Sequence, residues 1–481
     1  MFGTMPKEKV EALNEIIHIR KDNEIMNNIH KFKCKEDYFI LDTNSGAIHL
    51  VDKVIYDIVD ESGIESRSNV INKYGEKYGK DVLNEGYDEI EELIKKGQLY
   101  SEDVYEKISK KFEDEPNYMK AVCLNVAHDC NLRCKYCFAD GEGYDQEKKL
   151  MSFEVAKKSI DFLIANSGPR KNIEVDFFGG EPLLDMDVVK KTVDYARSIE
   201  KQNNKNFRFT ITTNATLLTE ETMDYLEENM VNIVLSIDGR KKVQDNIRIG
   251  INGQGTYDDI LPKIKSMVAR RHKSKKQYFI RGTYTSQNLD FSEDIKHFID
   301  NGFKEISIEP VVLQPDNPLS IKEEYLEQIY KEYDKIFDEL LKHDDVIFYH
   351  FNIDINGGAC IYKRISGCGA GFEYIAVTPD GDMYPCHQLV GNKKFYMGNV
   401  YEGIKNNKIS NDFRKSNIYN KPECKKCWAK FYCSGGCQAN NYNFNGDTKI
   451  PYEIGCKIQK RRLEYAIALQ YYRNNKRLEV K

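Results

Sequence analysis

No stretch of this 481-residue chain reaches the ~18 consecutive apolar residues of a membrane-spanning helix. The start, Met1-Phe2-Gly3-Thr4-Met5-Pro6-Lys7-Glu8, lacks the basic stretch and following apolar run of a secretory leader. A cytoplasmic protein with no membrane partner is therefore expected. Charge of one sign is missing too: 71 Lys and Arg stand against 76 Asp and Glu, a net charge of −5. That balance offers a polyanion nothing to grip, so nucleic acid is not an expected partner. What the chain has in quantity is cysteine, thirteen in all. In a cytosolic chain these are not presumed to pair as disulfides, and the odd total argues against a closed set. Their x2, x3 and x5 spacings point to metal instead. The length exceeds one comfortable core, and the 41% apolar share supports two or three folded domains.

The most telling lack is a fourth cysteine. Cys130, Cys134 and Cys137 follow an apolar strand-like segment in the spacing C-x3-C-x2-C. A four-iron cubane is normally held by four thiolates, so three would leave one iron open to a ligand. A zinc knuckle is the alternative that this spacing alone leaves open.

From about residue 120 to 312, β-rich runs alternate with amphipathic stretches, the pattern of repeated βα units around a parallel sheet. Six strands are expected: Ala121 to Ala127, Ile173 to Phe178, Phe207 to Thr213, Val231 to Ile237, Gln277 to Tyr284 and Ile306 to Val312. In barrels of this kind chemistry gathers where strands end. The first strand runs into the cysteine triple; the second ends in Gly179-Gly180-Glu181-Pro182, the third in Thr212-Thr213-Asn214, the fourth in Ser236-Ile237-Asp238-Gly239. Paired glycines allow close backbone approach to a ligand, and Glu181 can accept charge-assisted hydrogen bonds from an ammonium. An ordinary tight turn would also explain the glycines.

Past a long helical stretch from Ile321 to His343 come Cys360, Cys368, Cys386, then Cys424-x2-Cys427-x5-Cys433-x3-Cys437, and finally Cys456. Eight cysteines suffice for two four-thiolate cubanes, and zinc is again the competing reading. Cys34 and Cys123 are most simply read as core packing.

The triple with Tyr136 before its last cysteine resembles the radical S-adenosylmethionine (SAM) superfamily, and the array resembles the SPASM domain, including Gly381 of its G-x4-C element. The resemblance implies an α/β fold: a partial (β/α)6 TIM-like barrel over residues 106–345 and a SPASM iron–sulfur domain over 346–481. It implies S-adenosylmethionine and three 4Fe–4S clusters as cofactors. Cys130, Cys134 and Cys137 would hold the SAM-binding cluster, and Cys368, Cys386 and Cys437 the first auxiliary one, with Cys360 an open question. Cys424, Cys427, Cys433 and Cys456 would hold the second. Gly179, Gly180 and Glu181 correspond to the motif that binds the SAM amino group, and Ser236 and Arg248 to the residues that hold its carboxylate and ribose. Tyr136, Thr213, Asn214 and Asp238 are further expected cofactor contacts.

Residues 1–105 lack these motifs. Phe32 to Leu41 and Ala47 to Val51 suggest a hairpin around Asp42 to Gly46, followed by helical stretches through Lys96. This winged-helix-like order resembles the RiPP recognition element, which binds a precursor-peptide leader by adding it to a sheet edge; a structural cap or a vestigial DNA-binding module is the alternative. The whole arrangement closely resembles the maturases of SCIFF peptides, a sactipeptide and ranthipeptide family. By that resemblance the enzyme forms Cys thioether crosslinks after hydrogen abstraction by a 5′-deoxyadenosyl radical. Its partners would be a Cys-rich precursor peptide bound through its leader and a flavodoxin- or ferredoxin-type electron donor. Two alternatives stand beside it. One is an anaerobic sulfatase-maturating enzyme, a group that carries an acidic base where this chain has His387. The other is a non-catalytic iron–sulfur or peptide-binding protein.

Overall fold

The computed structural model describes residues 28–60, 63–139, 148–355 and 360–479; the opening segment read for targeting lies outside them. The chain divides into two compact units. One comprises the chain up to Glu106 together with Pro422–Phe431, the other Lys107–Lys421 and Tyr432–Lys481.

In the first unit β1 (Ile29–Cys34), β2 (Asp37–Asp42) and β3 (Ile48–Val51) form an antiparallel sheet with β2 in the centre. The single arm expected over Phe32 to Leu41 is two strands. The chain reverses at Lys35, where φ is 53°, so that Cys34 pairs with Asp37. Two-residue hairpin turns require such backbone, and a lysine in that role carries no turn signature in the sequence. Helices Lys53–Ile58, Arg67–Tyr78 and Lys80–Lys95 follow. Asp52 and Ser66 cap the first two by accepting the N–H groups of Ile55 and Asn69. Ile29, Ile40, Ile55, Ile58, Leu83 and Ile90 close one apolar core between sheet and helices. The short segment Pro422–Phe431 folds with this unit. Trp428 lies flat on His30 at 3.7 Å, and Lys430 Nζ meets Asp103 at 2.7 Å in a nearly fully buried pair.

The second unit holds β4 (Ala121–Ala127), β5 (Leu132–Cys134), β6 (Asn172–Gly179), β7 (Asn206–Thr213), β8 (Asn232–Ser236), β9 (Arg248–Gly250), β10 (Gln277–Tyr284), β11 (Glu305–Pro310), β12 (Ile347–Phe348), β13 (Tyr374–Val377), β14 (Asp382–Tyr384), β15 (Gly398–Asn399) and β16 (Gly403–Ile404). The strands β4, β6, β7, β8, β10 and β11 lie side by side in that order, all parallel. These are the six expected strands of the barrel. Helices Phe153–Asn166, Met186–Glu200, Glu220–Asn229, Tyr257–Ser274 and Phe291–Asp300 join them. The helix expected over Ile321 to His343 runs Leu326–Leu340, after a single 3-10 turn at Glu323–Tyr325. At one edge β12 extends the sheet; at the other β13 joins β4 and leads into β14, β15 and β16.

Alternation within these strands decides what faces inward. Ile173, Val175, Phe177, Phe207, Phe209 and Ile211 are fully buried beneath the helices. The intervening positions point to the other face, and there the chain places Asp176, Thr210, Ser236, Arg281, Ser307 and Glu309. Barrels of this type usually fill that interior with branched apolar side chains. A polar interior marks it here as a working surface.

Candidate active site

Below β4 the chain turns through His128 to Cys137, and backbone pairing fixes this loop at both ends. Gly180 N–H donates to the Ala127 carbonyl at 2.7 Å and Glu181 N–H to the Asp129 carbonyl at 3.0 Å. β5 pairs antiparallel with β9, setting Cys134 opposite Arg248. The two glycines serve this packing: a Cβ on Gly179 would run into the Ala127 carbonyl, and one on Gly180 into the Asp129 carbonyl and Cys130 Cβ. The close approach that requires glycine is therefore to the cysteine-bearing loop itself.

Burial pushes the Cys130 thiol up to about 11 and the Cys134 thiol up to about 12, with Cys137 raising both further. Opposing this, Leu132 N–H and Asn214 Nδ2 point at Cys130 Sγ, at 3.4 and 3.7 Å. Arg248 lowers the Cys134 thiol. Donors and a fixed cation around grouped thiols favour the thiolate form that iron requires, so the donor set fits an iron–sulfur cluster. Among the described residues no three Cys, His, Asp or Glu side chains form a group that could hold a single metal ion.

Two buried carboxylates organise the strand ends around the triple. Glu181 is fully buried, and burial pushes it up to about 7. Its Oε1 accepts from Leu183 N–H at 3.0 Å and Thr213 Oγ1 at 2.8 Å, its Oε2 from Asn214 N–H at 2.7 Å. Of roughly four lone-pair positions on a carboxylate, these donors leave one for a ligand. Asn214 continues the chain of contacts, donating to Asn131 Oδ1 at 2.9 Å. Asp238, also fully buried, accepts from the Tyr136 hydroxyl at 2.8 Å, Arg248 Nε at 3.0 Å and Thr283 N–H at 3.0 Å. The Arg248 guanidinium lies 5.5 Å from the centre of the Tyr136 ring. Ser236 ends β8, nearly buried and in register with Arg281 of β10.

The structure thus brings Cys130, Cys134, Cys137, Tyr136, Gly179, Gly180, Glu181, Thr213, Asn214, Ser236, Asp238 and Arg248 to one end of the sheet. Sequence reading missed Asn131, Thr283, Arg281 and Glu309. The first two act through ordinary amide and backbone groups that leave no sequence mark. The last two were readable only as polar positions alternating inside strands.

In the same unit a second group of thiols gathers. Burial pushes Cys386 far up, with Cys437 and Cys368 adding to it; Cys437 is raised by burial, by Cys368 and by the Glu309 carboxylate. Gly381, at φ 84°, makes the turn that joins β13 to β14 before Cys386. Cys360 is exposed at the start of helix Ile361–Ser366. Cys433 and Cys456 are half-buried members of this unit, whereas Cys424 and Cys427 belong to the first, where Cys427 N–H donates to the Cys424 carbonyl at 3.0 Å. Cys34 and Cys123 are buried, each within its own unit.

Comparison with known proteins fits this geometry. Residues 124–289 match the model of the radical SAM superfamily, and residues 368–428 that of SPASM, an iron–sulfur cluster-binding domain. The chain is 32% identical to an uncharacterised protein of Methanocaldococcus jannaschii, over 57% of this chain and 86% of that one. It is 26% identical to a cysteine-type anaerobic sulfatase-maturating enzyme of Clostridium novyi, over 67% of this chain and 89% of the relative. It is 25% identical to the radical SAM cyclopropyl synthase TigE of Paramaledivibacter caminithermalis, over 87% of each. Among solved structures, native anSMEcpe with bound AdoMet and Cp18Cys peptide shares the fold, with a TM-score of 0.61 and 23% identity over 74% of this chain and 99% of that one. The chain belongs to the radical SAM superfamily, as a SPASM-containing, peptide-modifying member whose cofactors are S-adenosylmethionine and more than one 4Fe–4S cluster.

Proposed function

We propose that this chain forms intramolecular Cys thioether crosslinks in a ribosomally synthesised, Cys-rich precursor peptide held through its leader. The observation that carries this reading is an inequality of lengths. The sulfatase-maturating relative is matched over 89% of itself but only 67% of this chain, whereas TigE is matched over 87% of both. This chain therefore holds material beyond a sulfatase-maturating enzyme, and its first unit is a small antiparallel sheet with β1 and β3 at its edges. In a recognition element of this kind a peptide leader adds as a further strand at a sheet edge. His387 supports the same reading: burial and Arg281 lower it to about 4, so a neutral imidazole occupies the position where the sulfatase-maturating group is expected to carry an acid.

When bound, S-adenosylmethionine on a reduced cluster supplies a hydrogen-abstracting radical. The residues of this chain prepare for it. Cys130, Cys134 and Cys137 would hold the cluster, with Leu132 N–H and Asn214 favouring the thiolate at Cys130. Glu181 keeps one acceptor position for the ammonium of the cofactor. Arg248, steadied by Asp238, presents its remaining N–H groups to a carboxylate. Cys368, Cys386 and Cys437 would hold an auxiliary cluster able to take the electron released as carbon and sulfur join.

The test is anaerobic reconstitution with iron and sulfide quantification, repeated on a Cys130/Cys134/Cys137→Ala variant, and mass spectrometry of a synthetic Cys-rich precursor peptide incubated with the reconstituted enzyme. About twelve irons falling to about eight, and loss of two hydrogens per crosslink, would support the proposal. Zinc in the C-terminal sites would remove it. Formylglycine on a Cys-type sulfatase peptide would replace it with the sulfatase-maturating reading.

A further inference from the structure

The inward row at the end of β8, β10 and β11 contains a charged pair that no step above uses. Ser236, Arg281 and Ser307 stand in register across three parallel strands, with Glu309 two residues beyond Ser307 on the same face. Arg281 Nη2 donates to Glu309 Oε2 at 2.6 Å and Nη1 to Ser307 Oγ at 3.1 Å. These bonds commit two of the five guanidinium N–H groups. The pair is not sealed in the core: the side chains are 35% and 39% exposed. Behind it stands His350, nearly buried, with Nε2 3.3 Å from Ser307 Oγ and 3.9 Å from Glu309 Oε1. Burial alone would raise the Glu309 carboxyl, but Arg281, then His350, hold it well below the ordinary range, so it is an acceptor at any working pH.

Its position is as informative as its composition. The charge of Arg281 acts on His387, next to Cys386, and Arg281 in turn feels Tyr136 and Arg248 beside the cysteine triple. The charge of Glu309 acts on Cys437. The pair thus lies within electrostatic reach of both groups of thiols in this unit, on the interior face of the barrel. A peptide reacting beside the first thiol group would lie on this face, within reach of the pair.

We propose that Arg281 and Glu309 form a clamp for the substrate's peptide backbone, Arg281 donating to an amide carbonyl and Glu309 accepting from an amide N–H next to the reacting residue. This rests on the reading of the chain as a peptide maturase and names the part of its site that holds the core peptide. An acidic side chain is a poorer fit, because Glu309 cancels the attraction of Arg281 and repels an anion at this distance. An amide offers a donor and an acceptor together, which is what an adjacent cation and anion can both satisfy. Such recognition is indifferent to side chains and would let one site act on several residues along a Cys-rich peptide.

The experiment uses the reconstituted full-length enzyme and the Cys-rich precursor peptide, comparing wild type with Arg281→Met, Glu309→Gln and the conservative Arg281→Lys. Losing hydrogen bonds to a charged group should raise the peptide KM about 10- to 100-fold in the first two variants. The 5′-deoxyadenosine released per crosslink should rise with it. Arg281→Lys should recover part of the KM. S-adenosylmethionine affinity by equilibrium dialysis, iron content and Tm should stay at wild-type values. A peptide KM unchanged in both variants overturns the clamp, as does a parallel fall in S-adenosylmethionine affinity, which would assign the pair to the cofactor. Loss of Tm or iron in all three variants, Arg281→Lys included, would make the pair structural and equally overturn it. If the wild type crosslinks no peptide, the maturase reading itself fails and the clamp falls with it.

Discussion

The two cysteine-rich regions of this protein are built on opposite plans. Cys130, Cys134 and Cys137 lie on one loop between β4 and the start of the next helix, held by the β5–β9 ribbon, by Gly179 and Gly180, and by the Glu181 and Asp238 networks. Their proximity is a property of local chain geometry, refined by long-range contacts. The C-terminal cysteines are scattered along a much longer stretch: Cys368, Cys386 and Cys437 gather in the barrel unit, while Cys424 and Cys427 lie on the segment that packs in the N-terminal unit through Trp428 on His30 and Lys430 on Asp103. Short spacing specifies a site by itself, and long spacing specifies one only through the fold.

The largest effect should come from breaking the local site. Cys130/Cys134/Cys137→Ala should abolish reductive S-adenosylmethionine cleavage, read as loss of 5′-deoxyadenosine by liquid chromatography, while irons elsewhere remain. Next, Asp238→Ala strips Arg248 of its buried partner, and breaking such a pair costs about 3–5 kcal/mol. A clear drop in Tm and in cleavage rate is expected, with iron retained because the thiols are untouched. Trp428→Ala probes the other plan: losing a buried tryptophan costs about 3 kcal/mol. Hydrogen exchange should then rise through β1 and Pro422–Phe431 and remain unchanged across β6 to β8. If the barrel strands loosen equally, the assignment of Cys424 and Cys427 to a separate unit fails.

The smallest effect sharpens the same division by pH. Burial would raise the Asp57 carboxyl, but Lys53, Lys77 and Tyr78 hold it well below the ordinary range. A lowered folded pKa gives stability that is whole above the unfolded value of about 4 and is lost as pH falls below it. Asp57→Asn should therefore weaken the first unit by about 1 kcal/mol or less at pH 7, with the difference from wild type closing below about pH 4 in hydrogen exchange of helix Arg67–Tyr78.

Much of the barrel was legible because its strands are short apolar runs, continuous in β4 and alternating in β6, β7 and β10, that end in motifs. Ala121–Ala127 and Gln277–Tyr284 stand where that pattern places them, and the strand-end motifs do converge. The β1–β2 turn at Lys35 was not legible, since a lysine at positive φ breaks no visible pattern. What requires glycine at 179 and 180 was legible only in the structure, where the backbone of Ala127 to Cys130 lies where a Cβ on either would fall. Arg281 and Glu309 were passed over because single polar residues within a strand look like any solvated alternate position.

The sequence by itself determined the chemistry on offer: three thiols within eight positions, glycines and carboxylates at strand ends, and a cysteine array of specific spacing, because these depend on residue type and short separations along the chain. Only the tertiary structure decided which distant groups meet. That Cys134 faces Arg248, that Cys386 gathers with Cys368 and Cys437, and that Arg281 meets Glu309 follows from strand order and register, which long-range packing sets and no local stretch encodes.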